Sequence, residues 1–236
     1  MSSGLLFYSD AVPLNREAHR HFRVPTDAQR FGFASGSHLV PAVIDEFTAA
    51  APHLPIVFVP GAGAPAACFL VGLRSGRNAL VSPEGGWRGD YAPAYVRRYP
   101  FVLGEVEGAD PLVCIDAAFA SREAPDGEAL FTEEGGDTTA LLDNIRLTND
   151  FFLAAKRTEA VVKTLAELNL FRSVTIDAKF ESGEALALHG FLTVDEEKLS
   201  ELSDEAFLRL RKMGLLAPIY AHLASLACVE RVRKLS

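Results

Sequence analysis

From Phe47 to Leu73 the chain carries no Asp, Glu, Lys or Arg, and Arg74 ends the run. A stretch of that length could in principle cross a membrane as one helix. Pro52, Pro55, Pro60 and Pro65, with Gly61, Gly63 and Gly72, interrupt it throughout. A helix so interrupted would leave backbone groups unpaired in lipid. The same residues suit two short buried strands, Ile56–Val59 and Cys68–Leu73, joined by a Gly/Pro turn. The run therefore predicts the core of a sheet and no membrane span.

The first 130 residues keep this texture of short apolar runs punctuated by Pro and Gly. Further strands are expected at Phe31–Ala34, Ala79–Val81, Phe101–Val106 and Leu112–Asp116, with a turn at Gly85-Gly86 before Trp87. One helix is expected over Pro41–Ala50, with Pro in its first turn and Asp45 and Glu46 early. After Gly135-Gly136 the period changes. Asp137 to Leu170 holds helix formers without Gly or Pro, capped by Asp137 or Thr138, with a break near Asn149. Val174–Phe180 alternates as a half-buried strand, and Ser182-Gly183 turns it into Ala185–Phe191. Thr193 with Glu196 spells a capping box for a short helix to Glu201. Ser203 opens another helix that Gly214 ends, and a last one runs from Ala217 to the C-terminus. The expected class is α+β: a β-rich N-terminal part with few helices, then a long helix, a β-hairpin and C-terminal helices. The organisation expected is one domain over 1–236, with possible closely packed lobes 1–135 and 136–236.

Charge is unevenly placed. The 236 residues hold 31 acids and 23 bases, a net charge of −8. Residues 1–103 contain 9 Arg, no Lys and 7 acids, whereas Glu105–Asp137 has ten acids and only Arg122 as a base. An acidic balance argues against nucleic acid as a partner. The acidic stretch suits a solvated face or a surface for a cation. Cys68, Cys114 and Cys228 are scattered among apolar neighbours, without C-x-x-C spacing, and predict buried thiols rather than a zinc site. With no basic and apolar leader at residues 1–10, they point to a reducing, cytoplasmic setting.

Several motifs bear on chemistry. Gly61-Ala62-Gly63-Ala64-Pro65-Ala66 fits G-x-G-x-x-A, but Pro65 removes a backbone donor and a strand follows, so a turn is expected rather than a dinucleotide loop. His19 and His21, if on a strand, would face one side and could share a metal with His38, and with Asp45 or Glu46 as further ligand or base. The opposing reading is surface or structurally hydrogen-bonded histidines. His189 and His222 read as core histidines. The densest feature is 85–101, with the only Trp, three of five Tyr and three Arg. Trp87, Arg88, Tyr91, Tyr95 and Tyr99 suit stacking, while Arg97 or Arg98 suits pairing with an anion. The alternative is a structural aromatic cluster whose Arg97 or Arg98 answers the acids of 104–137.

The segments His38-Leu39-Val40-Pro41, Glu46-Phe47, Pro55–Phe58, Gly86-Trp87 and Arg97-Arg98-Tyr99-Pro100-Phe101 resemble the SapC family of bacterial proteins. Gly190-Phe191, Val194-Asp195-Glu196 and Gly214-Leu215 through Leu226 are similar to it as well, so the resemblance runs nearly end to end. It implies association with surface-layer loci and supplies no catalytic residues to carry over. A peptide-transporter permease of the same name is a different protein and is not implied. The function expected is an accessory, non-catalytic protein that binds a small anionic or sugar-like ligand, or a protein partner, through Trp87–Phe101. A metal-dependent enzyme using His19, His21 and His38, and a structural subunit of a surface-layer or uptake system, are the alternatives.

Overall fold

The computed structural model describes residues 5–105, 108, 110–119 and 126–236. Ten strands lie among them: β1 (Ala11–Pro13), β2 (Arg23–Val24), β3 (Leu39–Pro41), β4 (Ile56–Val59), β5 (Ala66–Leu70), β6 (Phe101–Gly104), β7 (Leu112–Asp116), β8 (Glu128–Ala129), β9 (Phe171–Lys179) and β10 (Ala185–Val194). The α-helices are α1 (Phe47–Ala50), α2 (Ala94–Arg97), α3 (Thr139–Glu167), α4 (Glu196–Ser200), α5 (Asp204–Lys212), α6 (Leu216–Ser225) and α7 (Val229–Leu235). The class is α+β. Two units divide the chain, and each is built from separated segments.

The first unit comprises 1–34, 81–87 and 94–153. A three-stranded antiparallel sheet in the order β1-β7-β6 forms its centre, and β2 pairs with β8 beside the chain's Gly127 turn. Phe101, Ile115, Phe119, Leu130, Phe131 and Leu141 close its core. Residues 139–153 of α3 belong here. Thr138 caps that helix, its Oγ1 accepting from the Leu141 N–H at 3.3 Å. The helix continues unbroken through Asn149, and Thr148 turns its hydroxyl back onto the Asn144 carbonyl at 2.7 Å without interrupting it.

The second unit comprises 35–80, 88–93 and 154–236. Its five-stranded sheet runs β3-β5-β4-β10-β9, antiparallel at every pairing. The charge-free run supplies β4 and β5, and Ile56, Val57, Phe58, Phe69 and Leu70 are all almost fully buried. Val57, Cys68, Leu70, Leu73, Ala178, Phe191 and Val232 form one apolar cluster. Residues 60–65 are the turn of this hairpin, and its second strand runs Ala66–Leu70 rather than Cys68–Leu73. Among the described residues no single helix is long and apolar enough to cross a membrane; α5 and Leu216–Leu235 reach that length only as a pair bent by 91°.

Several local expectations change. Phe31–Ala34 contains a 3₁₀ turn (Gly32–Ala34) rather than a strand. The helix placed over Pro41–Ala50 begins only after Val43, since Pro41 ends β3 and Ile44–Glu46 forms a 3₁₀ turn before α1. Ala79–Val81 contributes an isolated bridge, Val81 to Trp87. Strand β6 ends at Gly104, and Val106 lies outside the described residues. Asp195, not Thr193, caps α4, its carboxylate accepting from the Glu197 and Lys198 N–H groups. Ser203 caps α5 as expected, and Gly214 follows it with φ of +72°. The last helix is divided by a 3₁₀ turn at Leu226–Cys228.

Candidate functional site

Gly85 sets the entry to the aromatic–arginine segment. Its φ is +89°, and a β-carbon there would lie 2.5 Å from the Gln29 carbonyl oxygen. That close approach brings 29–33 against the turn. The Phe31 ring then meets the Trp87 ring at 5.8 Å, and the Phe31 N–H donates to the Gly85 carbonyl.

Helix α2 then separates two neighbouring arginines. Successive residues on a helical turn point about 100° apart. Arg97 is exposed, while Arg98 is 4% exposed. The Arg98 guanidinium carbon lies 4.6 Å from the Tyr95 ring centre, 5.5 Å from Tyr8 and 4.5 Å from Phe151. Tyr95 donates its hydroxyl to the Leu6 carbonyl and Tyr8 to that of Phe101. Burial raises the pKa of both phenols, that of Tyr8 strongly, with the Arg98 charge opposing. Arg98 and Tyr95 are thus core residues.

Tyr99 is shared between core and surface. Its hydroxyl donates to Asp116 Oδ2 at 2.9 Å, and its ring stacks on Phe33 at 3.9 Å. Asp116 is fully buried and also accepts from the Ser9, Asp10 and Ala118 N–H groups, so its charge is well solvated by donors.

These elements frame a cleft of about 670 Å³ inside the first unit. Phe31, Phe33, Val96, Tyr99, Phe119 and Leu147 give it apolar and aromatic walls. Arg30 and Arg97 line it together with Asp27, Glu84, Asp126, Glu128 and Asp143, and Asn144 adds an amide. The Arg30 guanidinium lies 5.0 Å over the Phe31 ring. Five carboxylates against two guanidiniums make the wall acidic on balance. Flat rings beside groups that both donate and accept hydrogen bonds suit a hydroxyl-rich or cationic ligand better than an anion.

Of the seven residues expected to bind a ligand, Arg97 and Tyr99 line this cleft. Tyr95 and Arg98 are packed in the core, and Trp87 lies on Phe31. Arg88 and Tyr91 belong to the second unit. There Tyr91 donates to Glu46 Oε1 at 2.5 Å, with His53 parallel to its ring at 6.1 Å and Phe69 edge-on. Arg88 is exposed, and its backbone N–H donates to Leu80. The cleft walls that sequence reasoning missed are Asp27, Arg30, Phe31, Phe33, Asp143 and Asn144. The aromatic pair flanking Gly32 was the available signal for two of them.

The histidines lie otherwise than a strand would place them. His19 and His21 sit in a turn. His19 is buried, and its Nδ1 accepts the Asn15 N–H at 2.9 Å, while Asn15 Oδ1 holds the Glu17 and Ala18 N–H groups. Burial lowers its pKa. His21 is exposed. His38 belongs to the second unit and lies near the Gly76 N–H, at 3.4 Å. Among the described residues no group of three or more His, Cys, Asp or Glu gathers that could hold a metal.

His189, expected in the core, is exposed and meets Thr175 Oγ1 at 3.1 Å. His222 is fully buried, as expected. Its Nε2 accepts from the Val194 N–H (3.1 Å) and the Thr193 hydroxyl (2.8 Å), so Nδ1 carries the proton and donates to the Ile56 carbonyl at 2.9 Å.

The model of the SapC family matches residues 14–232. Comparison with curated proteins and with solved structures finds no match.

Proposed function

The chain belongs to the SapC family, and from that premise we propose that it is an accessory binding protein whose first unit takes a hydroxyl-rich, sugar-like ligand in the Arg97–Tyr99 cleft. The observation that carries this reading is the composition of the wall. Phe31, Phe33, Tyr99 and Phe119 offer ring surface, while Asp27, Asp143, Asn144 and Arg97 offer donors and acceptors around it. Ring faces stack on the C–H side of a pyranose, and carboxylate, amide and guanidinium groups pair with vicinal hydroxyls. The acidic balance disfavours the anionic ligand that the arginines alone suggest, because a carboxylate or phosphate would face five carboxylates.

The test is calorimetric titration of the purified protein with a panel of neutral and charged oligosaccharides. Asp143→Ala and Arg97→Ala serve as variants, because both side chains are exposed and their loss leaves the core intact. Saturable binding of a neutral or cationic sugar, weakened in both variants, supports the reading. Absence of binding across the panel, or binding unchanged in both variants, sinks it.

A further inference from the structure

A second groove in the first unit has the opposite electrostatic character. It encloses about 640 Å³ and is lined by Arg20, His21, Arg23, Phe131, Thr132 and Glu133, among others. Neither arginine pairs with a carboxylate among the described residues. Arg20 Nη2 donates to the Glu133 carbonyl at 2.5 Å, and Arg23 Nη1 donates to the Gly127 carbonyl at 2.8 Å. One nitrogen of each fork is therefore anchored on backbone, which orients the guanidinium without neutralising it. An arginine carries five N–H donors, so each keeps several for a ligand.

The neighbouring arginine shows the contrast. Arg16 spends its fork on the Gly135 carbonyl and on Asp137 Oδ2 at 2.8 Å, a complete ion pair. Among the described residues Arg20 and Arg23 thus have no ion-pair partner, with His21 between them in sequence and at the same groove, where Glu133 is the one acidic residue of the lining. Two guanidiniums with fixed orientation and free donors match the bidentate geometry of an oxyanion. The Phe131 ring gives the groove an apolar side on which the body of such a ligand can rest.

We infer that the Arg20–Arg23 groove binds an oxyanion, a phosphate or carboxylate group carried by a small molecule or by a lipid headgroup. This site is separate from the aromatic cleft and does not depend on a ligand binding there.

Thermal shift and calorimetry with inorganic pyrophosphate and with citrate form the first arm. Co-sedimentation with vesicles of phosphatidylglycerol and phosphatidylcholine, against phosphatidylcholine alone, forms the second. The variants are Arg20→Gln, Arg23→Gln and their combination, with Arg146→Gln as an exposed arginine of the same unit outside the groove. Binding in either arm that weakens about tenfold or more in the double variant and not in Arg146→Gln supports the site, and the arm tells which source supplies the oxyanion. Such binding should also weaken from 50 to 300 mM NaCl. If the double variant fails to fold by circular dichroism, the two single variants give the same reading. Wild-type protein that binds in neither arm, or variants that bind as well as wild type, would overturn the inference.

Discussion

The guanidinium carbon of Arg98 lies 4.5 Å from the centre of the Phe151 ring, inside a pocket of rings that Tyr8 and Tyr95 complete. Its Nε has no hydrogen-bond partner among the described residues. Among the described residues the charge is met by ring faces and by the Tyr95 hydroxyl rather than by a carboxylate, which makes shape and polarisability matter more than charge.

Arg98→Lys should therefore destabilise by about 2 kcal/mol, because a compact ammonium is strongly hydrated and does not stack. Arg98→Met should come within about 1 kcal/mol of wild type, since an apolar chain of similar length replaces a buried cation without leaving a charge behind. Phe151→Ala should cost about 3–5 kcal/mol through cavity formation and loss of the ring face. Urea unfolding of the three variants checks this order. A Lys variant as stable as wild type with a strongly unstable Met variant would refute the ring-held cation.

His222 supplies a pH dependence. Burial lowers its pKa to about 4 from an ordinary 6.5. The neutral ring is required because Nε2 accepts from Val194 N–H, and a protonated ring would set two donors against each other. A depressed histidine contributes stability that is complete above about pH 6.5 and lost as pH falls toward 4, where the folded form also takes the proton. The loss amounts to about 3 kcal/mol across that window. Denaturant curves at pH 7, 5.5 and 4.5 for wild type and His222→Asn should converge as pH falls. A constant gap between them would count against it.

Asp195 and Thr193 separate two roles that one short motif could fill. Asp195→Ala should cost about 1 kcal/mol through loss of the α4 cap. Thr193→Val should cost about 1–3 kcal/mol through a buried histidine nitrogen losing a donor, and should weaken the dependence of unfolding on pH, because the neutral ring loses one of the bonds that favour it over the protonated form. Guanidinium denaturation at two pH values distinguishes the two, because only the Thr193 variant alters the pH response.

The thiols should respond in order of access. Burial pushes Cys68 up to about 12 and raises Cys114 and Cys228 as well. Cys228 is only partly buried, whereas Cys68 and Cys114 are buried. A disulfide reagent at pH 8 should therefore modify Cys228 first, and Cys68 and Cys114 only on unfolding. Mass spectrometry of the quenched native protein reads the order, and early modification of Cys68 would contradict it.

How far the residues announce this arrangement depends on whether burial is decided locally. Ile56–Val59 and Leu112–Asp116 are continuous apolar runs between turn residues, and both are strands over those bounds. Phe31 to Ala34 has the alternation of a strand, yet Gly32 begins a 3₁₀ turn that the close approach of Gly85 accommodates. His189 shows a subtler failure. Leu186 and Leu188 face inward before a register shift between Leu188 and Phe191, and Phe191 and Thr193 face inward after it. Alternation counted from Leu186 and Leu188 puts His189 on the outer face, where it lies; counted back from Phe191 it would face inward, and the register shift is what breaks that second count. In the candidate site, the aromatic–arginine segment was legible as a concentration of rings and charge. That Arg98 turns into the core while Arg97 faces the cleft depends on Phe151, 53 positions away, and on Tyr8. The acids of the wall come from separate segments and become neighbours only in the fold.

The pairing of β4 with β10, at Phe58 and Leu192, spans 134 positions of sequence. During synthesis at about 5–20 residues per second, β4 and β5 are finished on the order of ten seconds before their neighbour leaves the ribosome. For that interval the most hydrophobic hairpin of the chain presents an open edge, the geometry that recruits strands from other chains. Pro60 and Pro65 flank its turn, and Pro41 terminates the strand on its other side. The nascent chain thus meets its greatest risk of misassembly early and is relieved of it late, which makes the C-terminal hairpin a guardian of the N-terminal half as well as its partner.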